Sequence, residues 1–126
     1  MCSSDLIVNK LTQFFIPIRI SIFNKLGYGV FDQIKESYPE RFINPGAAEQ
    51  LIVGMATGLA MEGKIPIIYS ITPFILYRPF EFLRNLVNKE NIPVKIVGSG
   101  RDEDYGALGF SHFATEIGRA SCRERV

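Results

Sequence analysis

The chain has 126 residues, 47% of them hydrophobic, the size and composition of one globular domain. Its formal net charge of +1 argues against a nucleic-acid surface, and no apolar run reaches the roughly 18 residues that a membrane span needs. The N-terminus lacks the basic-then-apolar pattern of a secretory signal, so a cytoplasmic protein is expected, with neither nucleic acid nor membrane among its partners.

In chain order, Met1-Cys2-Ser3-Ser4-Asp5-Leu6 resembles the in-frame translation of a common short-read sequencing adaptor. Residues 10–24 are hard to read: 13–20 form a candidate first strand, but the alternation is poor and Pro17 weakens it. From Gly27 onward, helix-like and strand-like signals alternate. Residues 29–38 carry apolar Val30, Phe31 and Ile34 among polar side chains and stop at Pro39, which predicts a short amphipathic helix. Arg41-Phe42-Ile43 is a brief strand candidate, and Asn44-Pro45-Gly46 a turn whose Asn is placed to cap the next helix.

Residues 47–62 give the clearest helix. Leu51, Met55 and Leu59 repeat at four-residue spacing, as do Ile52, Ala56 and Ala60, and Gly63 ends the run. A helix apolar on most of its surface is expected between other elements, with Gly54 and Gly58 allowing close approach. Residues 65–71 are continuously apolar, as in a strand covered on both faces. Residues 79–90 predict a second amphipathic helix, with Phe80, Leu83 and Val87 on one side and Pro79 in its first turn. Residues 94–97 are expected to be another buried strand. The rhythm predicts an α/β fold with a parallel sheet flanked by helices and joined by right-handed crossovers. The glycine-containing loop 98–109 would then lie at a strand's carboxyl end, where such sheets place ligands.

The C-terminal segment 117–126 resembles adaptor translation as the first six residues do. The natural segment is therefore expected over residues 7–116, truncated on both sides, with 1–6 and 117–126 set aside. Cys2 and Cys122 fall in the excluded ends and are read as non-functional. Removing Arg119, Arg123 and Arg125 from the 14 basic residues, and Asp5 and Glu124 from the 13 acidic ones, leaves 11 of each. The body is neutral.

Three places could carry chemistry. Glu49 stands in the first turn of an almost wholly apolar helix, and Val53, four residues on, offers it no ion pair. Spacing leaves two readings open. One is a carboxylate favoured by the helix dipole by roughly 0.3–1 kcal/mol. The other is a partly buried acid with a raised pKa, able to share a proton with a ligand nitrogen. Phe74, Tyr77 and Phe80, three residues apart, are either core filling or an aromatic wall for a heterocycle, and Arg78 among them either meets a substrate anion or pairs with a surface carboxylate. His112, the one histidine, has no second His or Cys at metal spacing. Ser70 and Ser111 lack a nucleophile elbow, and Gly98-Ser99-Gly100 lacks the ending of a phosphate loop.

Taken together, Arg41-Phe42-Ile43-Asn44-Pro45-Gly46-Ala47-Ala48-Glu49-Gln50 and Gly54-Met55-Ala56-Thr57-Gly58-Leu59-Ala60 resemble the Glu-containing helix of transketolases and 1-deoxyxylulose-5-phosphate synthases. Tyr69-Ser70-Ile71-Thr72-Pro73-Phe74, Arg78-Pro79-Phe80-Glu81, Pro93-Val94-Lys95-Ile96-Val97-Gly98 and Gly109-Phe110-Ser111-His112 continue the match. It covers roughly residues 26–116 and is similar to the C-terminal subunit of two-subunit transketolase-like proteins. The resemblance implies a truncated pyrimidine-type domain of the thiamine-diphosphate-binding fold. It implies a transferase of carbohydrate metabolism that moves two-carbon ketol units between sugar phosphates, using thiamine diphosphate with Mg²⁺ or a similar divalent metal.

By the same resemblance, Glu49 meets the ring nitrogen of the cofactor's aminopyrimidine and activates it, while Phe74 and Tyr77 pack on the ring. His112 recognises sugar hydroxyls or phosphate, and Arg78 helps bind substrate. The diphosphate and metal belong to an absent partner subunit or domain, in a dimer or heterotetramer, so this chain alone is expected to be inactive. Relatives commonly carry a Gly-Asp pair before the Leu-Gly-Tyr-Gly segment, where this chain has Asn24-Lys25. Two alternatives stay open: a 1-deoxyxylulose-5-phosphate synthase or 2-oxo acid dehydrogenase β-type subunit, and a non-catalytic interaction domain of the same fold.

Overall fold

The computed structural model describes residues 20–24, 31–100 and 102–116, with only the backbone of 20–24. The adaptor-like ends, both cysteines, residues 13–19 of the candidate first strand and residues 25–30 lie outside the described residues. Four strands, β1 (Ile20–Asn24), β2 (Phe42–Ile43), β3 (Ile65–Ile71) and β4 (Lys95–Ser99), form one sheet in the order β2-β1-β3-β4. Every pairing is parallel, with Ile22 opposite Ile67 and Ile68 opposite Ile96. The expected α/β architecture is therefore present.

The composition of β3 explains its central place. Successive side chains on a strand point to opposite faces, so a strand covered on both sides is apolar along most of its length. Ile67 packs with Phe31 and with Ile34 of α1 (Asp32–Ser37). Ile68, on the other face, packs with Ile52, Val53 and Ala56 of α2 (Glu49–Met61) and with Ile75 of α3 (Thr72–Tyr77). Ile68 is fully buried, which by itself contributes about 1.5–3 kcal/mol.

The helix α2 ends as its sequence implies. Gly63 adopts φ +74, its N–H donates to Ala60 O at 3.0 Å, and Lys64 N–H donates to Leu59 O at 2.9 Å. This paired closure needs a left-handed residue, which glycine supplies without a Cβ clash. The start of α2 differs from expectation. Asn44 accepts from Gly46 N–H at 3.1 Å and so shapes the preceding turn, while the helix begins after Ala48 without a side-chain cap.

Other expectations are corrected. Only one face of α2 is covered: Leu51 is 52% and Met55 37% exposed, because the sheet can bury one side of a helix and no second layer lies over it among the described residues. The Phe82 ring lies 3.7 Å from the position of a Cβ on Gly54, whereas nothing stands within 4 Å of one on Gly58. The helix expected over 79–90 is α4 (Phe80–Phe82), which runs on as a π-helix, Leu83–Asn88. Phe82, Leu83 and Val87 pack on the core, and Phe80 turns outward at 60% exposure. β4 is a half-covered strand, not a buried one, and among the described residues it has a neighbouring strand on one side only. Among the described residues no helix is long and apolar enough to cross a membrane.

Candidate functional site

In a parallel sheet, every segment that leaves a strand's carboxyl end starts from the same edge. The turn from β2 into α2, the step from β3 directly into α3, and the loop after β4 therefore converge. Glu49 is the first residue of α2, Thr72 the first of α3, and His112 lies in the loop after β4. The expected site residues come from these three segments.

Glu49 is 2% exposed, so its carboxyl group is one of the few polar groups in the core. Its Oε2 accepts a hydrogen bond from Arg78 Nη1 at 2.9 Å, and the two side chains are 1% and 48% exposed. Two influences oppose each other there: burial favours the neutral acid, while the guanidinium and the helix N-terminus favour the carboxylate. The backbone carbonyl of Arg78 also accepts from Gln50 Nε2 at 3.3 Å. Two neighbouring residues of α2 thus hold Arg78 by its side chain and its main chain. Ala47, Ala48, Glu49, Gln50 and Arg78 line a cleft of about 390 Å³. Buried Glu49 contributes to the wall of this cleft.

The guanidinium that meets Glu49 also lies over the ring of Phe74, 4.0 Å from its centroid. At that distance the cation is attracted to the electron-rich face of the ring. Phe74 in turn meets His112 edge to face, with ring centroids 4.8 Å apart. Glu49, Arg78, Phe74 and His112 form a connected series across the carboxyl edge of the sheet. The Arg78 cation is thus turned inward to Glu49, not outward to a surface carboxylate. His112 Nδ1 lies 3.0 Å from Ser111 Oγ.

Tyr77 stands outside this connected series, on the exposed side of α3. It is 50% exposed, and its hydroxyl donates to Glu116 Oε2 at 3.3 Å. Partial desolvation, followed by the Glu116 carboxylate, raises its pKa above the usual phenol value. The hydroxyl therefore stays protonated at neutral pH and serves as a donor. Among the described residues, no cluster of three or more His, Cys, Asp or Glu side chains is placed to hold a metal ion. Ser70 is fully buried in β3, and its Oγ has no hydrogen-bond partner among the described residues.

Two contributors escape sequence reasoning. Gln50 is indistinguishable from any polar residue of a first helical turn, and Tyr105 reads only as part of a polar loop. The Asp104-Tyr105-Gly106 string held one available hint, a bulky ring inside a glycine-containing segment.

Residues 21–120 match the family model described as transketolase, pyrimidine binding domain. The chain is 44% identical over 77 residues to a putative transketolase C-terminal section of Methanocaldococcus jannaschii, covering 61% of this chain and 24% of that protein. It is 42% identical over 84 residues to a 1-deoxy-D-xylulose-5-phosphate synthase of Carboxydothermus hydrogenoformans, covering 61% of this chain and 13% of the relative. A solved structure described as a split gene transketolase, inactive β4 tetramer, superposes with a TM-score of 0.70 at 32% identity, over 90% of this chain and 35% of its own. The chain thus spans about a quarter of the length of the Methanocaldococcus relative.

Proposed function

Because the chain belongs to the transketolase pyrimidine-binding domain family, we propose that it supplies the cofactor-activating carboxylate of a split, transketolase-like enzyme that moves two-carbon ketol units between sugar phosphates. The observation that carries this reading is Glu49. Its carboxyl group is 2% exposed at the head of an almost wholly apolar helix, borders an open cleft, and has Arg78 as its charge partner, an arrangement that keeps a buried acid beside space for a ligand. The match to relatives named as transketolase sections supports the choice of chemistry.

The residues fit one part of thiamine diphosphate. Glu49 offers a carboxyl oxygen to a ring nitrogen, Ala47 and Ala48 leave room beside it, and half-buried Phe74 lies next to the cleft behind Arg78. When bound, thiamine diphosphate supplies a carbon acid that adds to a ketose carbonyl. The work of this chain is to prepare that chemistry. Glu49 holds one proton at the nitrogen of the aminopyrimidine, and its burial keeps water from competing for that proton. Arg78 balances the buried charge and fixes the carboxylate's orientation, and its half-exposed guanidinium also helps bind substrate. Phe74 and, on its exposed side, Tyr77 border the ring, and His112 donates to a sugar hydroxyl or phosphate.

The diphosphate and its Mg²⁺ are assigned to a partner subunit or domain in a dimer or heterotetramer. The short coverage of the relatives and the split-gene description of the solved neighbour support that division. The match to a 1-deoxy-D-xylulose-5-phosphate synthase favours a second reading, in which the same carboxylate serves acyl transfer from a 2-oxo acid. The test takes the complete subunit that carries this chain and the protein encoded next to it. Ketol transfer from a ketose phosphate is expected only when both are mixed with thiamine diphosphate and Mg²⁺. Turnover of pyruvate in place of the ketose would favour the second reading, and turnover by the isolated 126-residue chain would overturn the division of labour.

A further inference from the structure

The loop that carries His112 is fastened by contacts that the proposed chemistry does not use. Thr72 Oγ lies 3.0 Å from Ser99 O and 2.7 Å from Gly100 O, so its single proton is shared between two carbonyls at the end of β4. Gly98 makes this possible: a Cβ there would collide with the Thr72 side chain. One step on, Ser99 Oγ and Tyr105 Oη are 2.6 Å apart, a short hydroxyl–hydroxyl hydrogen bond. Gly100 has φ +81, and a Cβ there would strike the Tyr105 ring, so only glycine gives both the backbone turn and the space. Ala114 N–H donates to Asp102 O at 2.8 Å and closes the base of the loop.

Tyr105 is thereby fixed at its hydroxyl by Ser99 and along its ring by Gly100. Its ring meets His112 with centroids 6.1 Å apart, and Phe74 meets the same imidazole at 4.8 Å. The histidine has an aromatic ring on each of two sides, one from α3 and one from its own loop. Edge-to-face pairs of this kind are directional, so two of them fix an imidazole's orientation better than one.

We infer that Tyr105 is a positioning residue for His112, holding the imidazole against Phe74 through the Ser99 hydroxyl. Thr72, Gly98 and Gly100 complete the clamp between the ends of β3 and β4. The inference rests on the reading that His112 meets substrate, and two measurements separate the failure of one from the failure of the other.

The first measurement is structural and uses the complete subunit that carries this chain, with the His112 signals assigned by their loss in the His112→Gln protein. The His112 ring protons give one assignable pair of NMR signals, shifted by the two neighbouring rings. Tyr105→Phe keeps the ring and removes the hydroxyl, and Ser99→Ala removes the same bond from its other end. Both are expected to move the His112 signals in the same direction, while Glu103→Ala, an exposed non-aromatic position in the same loop, serves as a control for loop substitution. Unchanged signals in a folded Tyr105→Phe subunit would overturn the clamp.

The second measurement is kinetic and uses the complete subunit with its partner and a ketose phosphate donor. Tyr105→Phe is expected to raise KM about three- to ten-fold, the effect of one lost neutral hydrogen bond, with kcat changed far less. In a His112→Gln background the same substitution is expected to add nothing, because the effect passes through the imidazole. An equal rise in KM in that background would show that Tyr105 acts without His112, and the inference would fall. If His112→Gln itself left KM unchanged, the substrate role of His112 would fall, and the NMR signals alone would decide the clamp.

Discussion

Replacing Glu49 by Gln in the complete subunit, assembled with its partner, is expected to lower kcat for ketol transfer about 10²–10⁴-fold, the usual loss when a positioned proton-transfer group is removed. Shape and charge separate the two side chains. Gln is nearly isosteric with Glu, its carbonyl oxygen can still accept from Arg78, and the apolar neighbours Ile52 and Val53 remain filled, so the fold is expected to persist. What Gln cannot do is exchange a proton with a ring nitrogen near neutral pH. KM for the ketose should change much less than kcat, because the carboxyl group acts on the cofactor. Steady-state kinetics over a range of donor concentrations checks this. A Glu49→Gln enzyme with wild-type kcat would remove Glu49 from the activation of the cofactor.

The second large effect is expected at Arg78. Arg78→Met keeps much of the side chain's length and apolar contact with Phe74 but removes the cation beside a carboxyl group that is 1% exposed. A hydrogen bond to a charged group is worth about 1.5–3 kcal/mol, and half-exposure of Arg78 lets water screen part of it, which places the expected destabilisation near the lower end. Denaturant unfolding measures the loss. In Glu49→Gln protein the same substitution should cost clearly less, since the partner charge is already gone. Arg78→Lys should recover part of the stability, since it keeps the charge but lacks the guanidinium's fork of donors. An unfolding midpoint for Arg78→Met equal to that of the parent would show that the ion pair does not hold Glu49 in place.

Much of this arrangement is legible in the sequence because it follows from local pattern. The mostly apolar run of β3, with Ser70 its one small polar residue, announces a strand covered on two sides, and Ile67 and Ile68 are divided between two clusters. The four-residue repeats of Ile52, Ala56 and Ala60 mark the packed face of α2, and Gly63 marks its end. Glu49 stands out because a carboxylate at the head of an apolar helix is conspicuous.

The features that escape the sequence depend on long-range geometry. Glu49 and Arg78 are 29 residues apart, and only the convergence of α2 and α3 at one sheet edge makes them partners. Six-residue α3 is too short to show a period, and Pro73 looks like an interruption although it occupies the first turn, where a missing N–H costs nothing. The exposure of β4, Leu51 and Met55 depends on which layers surround the sheet, which no local pattern records. The outward turn of Phe80 has a local cause: the helix widens after Phe82, which moves Leu83 and Val87 to the core and leaves Phe80 off their face.

The carboxyl group of Glu49 is central to the whole account, and its contact with the cofactor can be measured directly. A crystal structure of the complete subunit with its partner, thiamine diphosphate and Mg²⁺ is predicted to place a Glu49 oxygen at hydrogen-bond distance, about 2.7–2.9 Å, from the aminopyrimidine ring nitrogen. A structure in which the bound cofactor's ring lies away from Glu49, with both carboxyl oxygens still turned to protein groups, would contradict it.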